Sequence, residues 1–246
     1  MDQLRPEIRE LSSLKTDEVQ SMYSLLIKYY DSCEYEQFIC DLQDKDYIVM
    51  LKNCNGILQG FSTAKILSYK FKGQMVRAVF SGDTIIHNDY WGSQALPLAW
   101  CYLVGKIKAE MMDVPLYWFL IVKGHRTYRY LSLFSKKFYP TWRHDTPGHI
   151  KELINHLASE RFGDAYDPQK SIVRFKSSQG HLREEWADIP DHLSRKNDVK
   201  YFLQRNPGFS IGDELVCLTE LCQSNLRSFA LRAFNKGIRG ESLYSD

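Results

Sequence analysis

At 246 residues and 44% hydrophobic content, the chain is long enough to bury one sizeable core. Its 32 Lys and Arg against 30 Asp and Glu leave a formal net charge of +2, which excludes a whole-molecule field that gathers nucleic acid or anionic membrane, so any anion site has to be local. The six cysteines form no CxxC pair and follow no export signal, which fits reduced thiols rather than a zinc knuckle or a disulfide framework. The most apolar run, Leu116–Val122, is far shorter than the roughly 20 residues of a membrane-spanning helix. A soluble cytoplasmic protein is expected.

Val19, Met22, Tyr23, Leu26 and Tyr30 keep three-four spacing behind Thr16, with Asp17 and Glu18 in the first turn, which predicts an amphipathic helix with an acidic start. A second short helix fits residues 34–42. Segments 47–51, 57–67 and 75–86 are rich in β-branched and aromatic residues and are separated by Asn55-Gly56 and Lys72-Gly73, so three antiparallel strands joined by tight turns follow. Leu96, Trp100, Leu103, Ile107 and Met111 predict a helix within 92–112, with Pro97 near its first turn. Leu116–Val122 lacks polar alternation, as expected of a central strand covered on both faces. A Tyr- and Arg-rich segment spans 124–142, and Thr146-Pro147 starts a helix reaching about residue 158. A strand at 171–175, a polar loop over 176–198 and a helix over most of 213–234 complete the prediction.

Helix, helix, three antiparallel strands, helix, buried strand, helix joins a meander to a parallel crossover. That order resembles the GNAT superfamily of N-acyltransferases. The stretch from Ile86 to Leu96 resembles the family's acyl-CoA loop, V-x-P-x-Y-R-G-x-G-x-G/A. Ile86, Tyr90 and Gly92 match, whereas Asn88, Trp91, Gln94 and Leu96 replace the Pro, the Arg, the second Gly and the last small residue. The resemblance implies an α+β fold, a mixed central sheet flanked by helices, in a single domain. Residues 1–145 would form the acyl-donor core and residues 146–246 a C-terminal extension on the acceptor side. It also implies acyl-CoA as co-substrate, its pyrophosphate facing loop N–H groups and a helix N-terminus. Ile85, Ile86, Tyr90, Trp91, Gly92, Ser93, Gln94, Ala95 and Leu96 are the expected contacts. Arg126 is the expected phosphate cation, with Lys106, Lys123 and Arg129 nearby in sequence. Loss of two loop glycines leaves an acyl carrier protein open as an alternative donor. It also leaves open a catalytically inactive module that binds acyl-CoA or a protein.

An amine attacking a thioester needs a base, donors for the oxyanion and an acid for the departing thiolate. Asp83 is an acid in an otherwise apolar strand and is the candidate base, because burial raises a carboxyl pKa toward neutrality. His87 is a second candidate proton acceptor, and backbone N–H groups around Ile85 and Ile86 are candidates for the oxyanion. The family's acid, a Tyr after the buried strand, aligns with Leu133, so Tyr128 is the candidate phenol, with Tyr130 and Tyr139 as alternatives. His149 and His156 stand two helical turns apart, about 10.5 Å, too far to share one ion, and no metal is expected. Trp91, Ala95, Leu96, Leu98 and Trp100, with Tyr117, Trp118 and Phe119, form an apolar lining suited to a medium or long acyl chain, at about 0.8 kcal/mol per buried methylene. The run from His125 to Tyr130, with Asn206-Pro207-Gly208, resembles a bacterial GNAT-like group, and the chain is similar, with no diagnostic motif, to GNAT-type maturases that place fatty acyl groups on ribosomal peptides. That likeness implies a lysine or ornithine side chain as acceptor, met by Asp213 and Glu214.

Overall fold

Short apolar and β-branched runs pair into the sheet of the computed structural model, which describes residues 3–177 and 179–244. The polar strand β1 (Arg5–Glu10) precedes α1 (Thr16–Leu26), the short β2 (Tyr30–Asp31) and α2 (Tyr35–Gln43). β3 (Tyr47–Lys52), β4 (Leu58–Phe71) and β5 (Gln74–Ile86) form the antiparallel meander. α3 (Ala95–Ala109) then crosses to β6 (Leu116–Val122), which runs parallel to β5. Next come α4 (His125–Phe134), α5 (Gly148–Phe162), β7 (Tyr166–Asp167), β8 (Ile172–Val173) and β9 (His181–Leu182). The chain ends with α6 (Glu184–Ala187), α7 (Asp191–Ser194), α8 (Asn197–Arg205), β10 (Glu214–Glu220) and α9 (Ser228–Arg239). Among the described residues the main sheet has the order β1-β3-β4-β5-β6-β10-β8-β7, and β2 pairs with β9 apart from it.

Strand alternation splits the core between two faces. Val49, Val79, Trp118 and Leu120 are buried under α3, α4, α8 and α9. Met50, Phe61, Phe80 and Phe119 are buried under α1, α2 and α5. Two glycines let α3 and α9 meet backbone to backbone: a Cβ on Gly105 would fall 2.1 Å from the Phe234 carbonyl oxygen, and one on Gly237 2.1 Å from that of Tyr102. Among the described residues no helix is long and apolar enough to cross a membrane.

Two predicted elements are corrected. Residues 213–234 are not one helix but β10, a turn and α9. Residues 215–218 are apolar without periodicity, a pattern that helix and strand share, and the free edge of β6 decides for strand. The polar segment 176–198 is not plain loop, because it holds β9, α6, α7 and the start of α8. β1 has no counterpart in the sequence prediction. Its Pro6 and charged residues suit an edge strand, where a missing donor and solvent-facing charges are tolerated.

Candidate active site

β5 and β6 pair from Arg77↔Leu116 to Ser81↔Leu120. Just beyond, β5 bulges: Ala64 pairs with Ser81 but Ser62 with Thr84, so Gly82 and Asp83 together oppose Thr63. The position requires glycine, since a Cβ on Gly82 would lie 2.3 Å from Thr63 Oγ1 and 2.6 Å from Lys45 Cε. Past the bulge the two strands part, and a cavity of 430 Å³ runs through the gap from one face of the sheet to the other. Leu96, Pro97 and Trp100 of α3, with Tyr130 and Phe134 of α4, line its first mouth. Tyr30, Phe38, Asp41, Asp83, Lys123 and Glu214 line the opposite side. A buried bond of 2.6 Å from Trp118 Nε1 to Ser81 Oγ fixes the wall where the strands separate. The His87 N–H bonds Gln59 O at 2.8 Å, so by antiparallel alternation the Ile85 N–H also faces β4. The N–H groups of Thr84 and Ile86 turn toward the gap.

Asp83 within β5, Lys123 just past β6 and Glu214 at the start of β10 stand on three adjacent strands on the α1, α2 and α5 face. Lys123 Nζ stands 3.5 Å from Glu214 Oε1, donates to Gln179 O at 2.7 Å and lies 5.7 Å from the Tyr30 ring centroid. Among the described residues nothing hydrogen-bonds the half-buried Asp83 carboxylate. Burial pushes its pKa up and the neighbouring Asp41 adds to the rise, while Lys123 and Lys45 oppose it. The buried Glu214 is raised as well, first by burial, with Lys123 opposing and Asp83 adding. The Tyr30 phenol is pushed up by burial and by both carboxylates. Lys45 is buried and tied to Asp41 through bonds of 2.7 Å to its carbonyl and 2.6 Å to Oδ1. Two carboxyls raised together hold their protons more tightly than surface acids do, the direction that strengthens a carboxylate as a proton acceptor.

Asp83 lines this cavity, but two other candidate catalytic residues do not. His87 caps a 3-10 turn: its Nδ1 accepts from the Asp89 N–H at 3.4 Å, and it lies outside the cavity wall because β5 ends at Ile86. Tyr128 is fully buried, and its hydroxyl donates to Pro140 O at 2.9 Å. Burial drives that phenol far above its ordinary value, so Tyr128 is a core residue, and Tyr130 reaches the mouth instead. Ile85 also departs from its expected role, since its side chain is buried beneath α1 and α2 and its N–H faces the ladder.

The acyl-type loop has used most of its backbone donors internally. The N–H groups of Tyr90, Trp91 and Ser93 bond His87 O, Asn88 O and Tyr90 O at 2.9, 3.1 and 3.0 Å. That of Ala95 bonds Ser93 Oγ at 3.2 Å, that of Leu98 bonds Gln94 O at 3.0 Å, and Pro97 has none. Among the described residues the N–H groups of Gly92, Gln94 and Leu96 find no partner, and Gly92 at φ +92° makes the turn. Trp91 Nε1 donates to Ile86 O at 2.9 Å. The Arg126 guanidinium stacks 4.2 Å from the Trp91 ring centroid and donates to Trp186 O at 3.1 Å. Lys106 is eleven residues into α3, about 16 Å along its axis, and so out of a loop-bound phosphate's reach. Sequence reasoning named Lys123 only as a cation for phosphate, gave Tyr30 only as an apolar position of the first helix, and named Glu214 for the acceptor but placed it in a helix. Parity held the signal for Lys123: Tyr117, Phe119, Ile121 and Lys123 alternate onto one face.

No protein-family model and no curated protein matches the sequence. Solved structures do. A probable N-acyltransferase from Enterococcus faecalis is 16% identical, with a TM-score of 0.41 over 55% of this chain and 33% of its own length. The Escherichia coli GNAT family N-acetyltransferase YhbS, solved with CoA, is 16% identical, with a TM-score of 0.38 over 53% of this chain and 69% of its own. Escherichia coli ElaA is 18% identical, with a TM-score of 0.37 over 59% of this chain and 94% of its own. This chain thus spans a third of the Enterococcus protein's length. Meander, crossover helix, parallel strand and the gap beyond the bulge form the mixed sheet flanked by helices that the element order predicts.

Proposed function

We propose that the chain is an N-acyltransferase that moves an acyl group from a pantetheine thioester, acyl-CoA in its simplest form, to a primary amine. The observation that carries this reading is the cavity crossing the sheet where β5 parts from β6, with the free Asp83 carboxylate on its wall. The pantetheine arm enters between α3 and α4 and lies along strand edges left open beyond Ser81 and Leu120. The thioester carbonyl then sits in the gap, where the N–H groups of Thr84 and Ile86 face its oxygen. The amine enters from the Asp41 side, and Asp83 accepts its proton as the C–N bond forms. Collapse of the tetrahedral intermediate breaks the C–S bond, and the Tyr130 phenol protonates the departing thiolate.

Carboxylates and the Tyr30 ring on the acceptor wall favour a cationic amine, for which a lysine or ornithine side chain of a peptide is proposed. Leu96, Trp100 and Phe134 at the other mouth favour an acyl chain longer than acetyl. Incubation with acetyl-, decanoyl- and palmitoyl-CoA and amine acceptors, read by thiol release and product mass, tests the reading. Acyl-dependent thiol release with an N-acyl product is expected. No product from any CoA or carrier-borne thioester would refute the enzyme.

A further inference from the structure

The charge of +2 conceals a polarity between the two faces. α3 and α4 at the donor mouth, and α9 packed on α3, contain no Asp or Glu, and α8 on the same face sets Lys200 and Arg205 against Asp198. α3, α4 and α9 carry Lys106 and Lys108, Arg126 and Arg129, and Arg232, Lys236 and Arg239. On the other face α1 and α2 contain no Lys or Arg and carry Asp17, Glu18, Glu36 and Asp41, while α5 balances Lys151 and Arg161 against Glu152 and Glu160. Lys106, Arg129 and Arg232 form no ion pair with any described acid, and Lys106 and Arg232 are exposed. Antiparallel packing of Gly105 on Phe234 and of Gly237 on Tyr102 sets the half of α9 with Arg232 beside the half of α3 with Lys106.

The acyl-type loop is poor in charge by contrast. Residues 87–96 contain no Lys or Arg and do contain the exposed Asp89. Three backbone N–H groups remain free, and Arg126, stacked on Trp91, is the adjoining cation. CoA brings a pyrophosphate and a 3′-phosphate to such a site, whereas a carrier-bound arm brings one phosphodiester. Three donors and one guanidinium match the smaller demand. The other basic residues are spread along helices, out of a small ligand's reach but spaced to meet an acidic protein surface.

We propose that the acyl group arrives on the phosphopantetheine arm of an acidic carrier protein docked on α3, α4 and α9. The proposal rests on the acyl-transfer reading above. The partner's acids meet Lys106, Arg129 and Arg232, and its arm enters the mouth between Pro97 and Tyr130. The transfer is unchanged in balance: the amine nitrogen gains the acyl group, and the carrier's thiol leaves with a proton.

The test compares decanoyl-CoA with a decanoyl-loaded acidic acyl carrier protein as donors to the full chain and its K106E/R232E variant. The carrier-borne donor is expected to give a kcat/KM about tenfold or more above CoA. The double reversal lowers the carrier-dependent value by about tenfold and leaves the CoA-dependent rate within about twofold. Raising salt from about 50 to about 300 mM erodes only the carrier-dependent rate. The neutral K106Q/R232Q pair gives an intermediate loss, which keeps the test decisive if the reversal unfolds the chain. Transfer from CoA alone, or equal behaviour of both donors in both variants, overturns the carrier and leaves the acyl-transfer reading standing. Transfer from neither donor overturns both.

Discussion

Asp83→Asn should move activity and stability in opposite directions. The Asp83 carboxyl is raised above its ordinary 3.8 by burial and by Asp41, with Lys123 and Lys45 offsetting part of the rise. An acid whose folded-state pKa exceeds its unfolded value binds its proton more tightly in the fold. Folding stability therefore falls as pH climbs from the unfolded pKa through the folded one, and above that window the deficit is complete. Each tenfold tightening of the proton is worth about 1.4 kcal/mol, and each kcal/mol moves Tm by about 2–4 °C in a chain of this length. Asn has no proton to lose and keeps the volume, so the variant melts higher at pH 7.5, by about 3–6 °C for each such tenfold. The difference closes as pH falls toward 4. Turnover drops by about 10²–10⁴-fold, the usual contribution of a general base. Thermal melts across pH and initial rates of thiol release measure both. An Asp83 that merely stabilised the bulge would give the reverse, a lower Tm with turnover intact, and that result would refute the assignment.

The two tyrosines of α4 separate by a parallel comparison. Tyr128→Phe leaves Pro140 O without its buried donor, so stability falls by about 1–3 kcal/mol while kcat is unchanged; Tyr130→Phe lowers kcat by about 10²-fold with little loss of stability. Chemical denaturation and steady-state rates distinguish them, and a kcat loss in Tyr128→Phe would return that residue to the site. Gly105→Ala sets a methyl 2.1 Å from a backbone carbonyl oxygen, which no rotamer relieves. A stability loss of about 1–3 kcal/mol is expected, and an unchanged Tm would show that α3 and α9 pack less closely than described.

Much of the fold between α1 and β6 was legible because its signals are local. Three-four spacing, β-branched runs and Asn55-Gly56 mark their elements within a few residues. β10 was not legible, since its residues 215–218 are apolar throughout, and the choice of strand depends on β6, about ninety residues earlier. Asp83 stood out as a charge in an apolar strand, while the cavity beside it depends on where β5 and β6 part, which is set by pairing across the sheet. Choosing between Tyr128 and Tyr130 required the phase of α4 against the sheet. Yet His125, Tyr128, Leu131 and Phe134 are the buried residues of that helix, and their three-residue step already marks Tyr128 as core-facing. His87, four residues after Asp83, lies past the end of β5 at Ile86 and caps the next turn, which its spacing alone did not reveal. Lys123 and Glu214 face each other through β6–β10 pairing, which no local pattern encodes.

The C-terminal hundred residues contribute to both faces of the sheet. β10 pairs with β6 from Leu215↔Val122 to Glu220↔Tyr117 and so carries Glu214 to Lys123 and the Asp83 wall. α9 and α8 cover the donor face, while Trp186 packs against Trp91 and Tyr29 at ring-centroid distances of 5.3 and 5.2 Å, bracing the loop. A chain ending near residue 145 would expose the β6 edge to pairing with other chains and leave Lys123 without its carboxylate partner in a half-buried site, where an unpaired charge is costly. β10 therefore joins closure of the sheet to the wall that holds Asp83 and Lys123. A substitution in β10 that weakens its pairing should disturb proton acceptance and donor binding together.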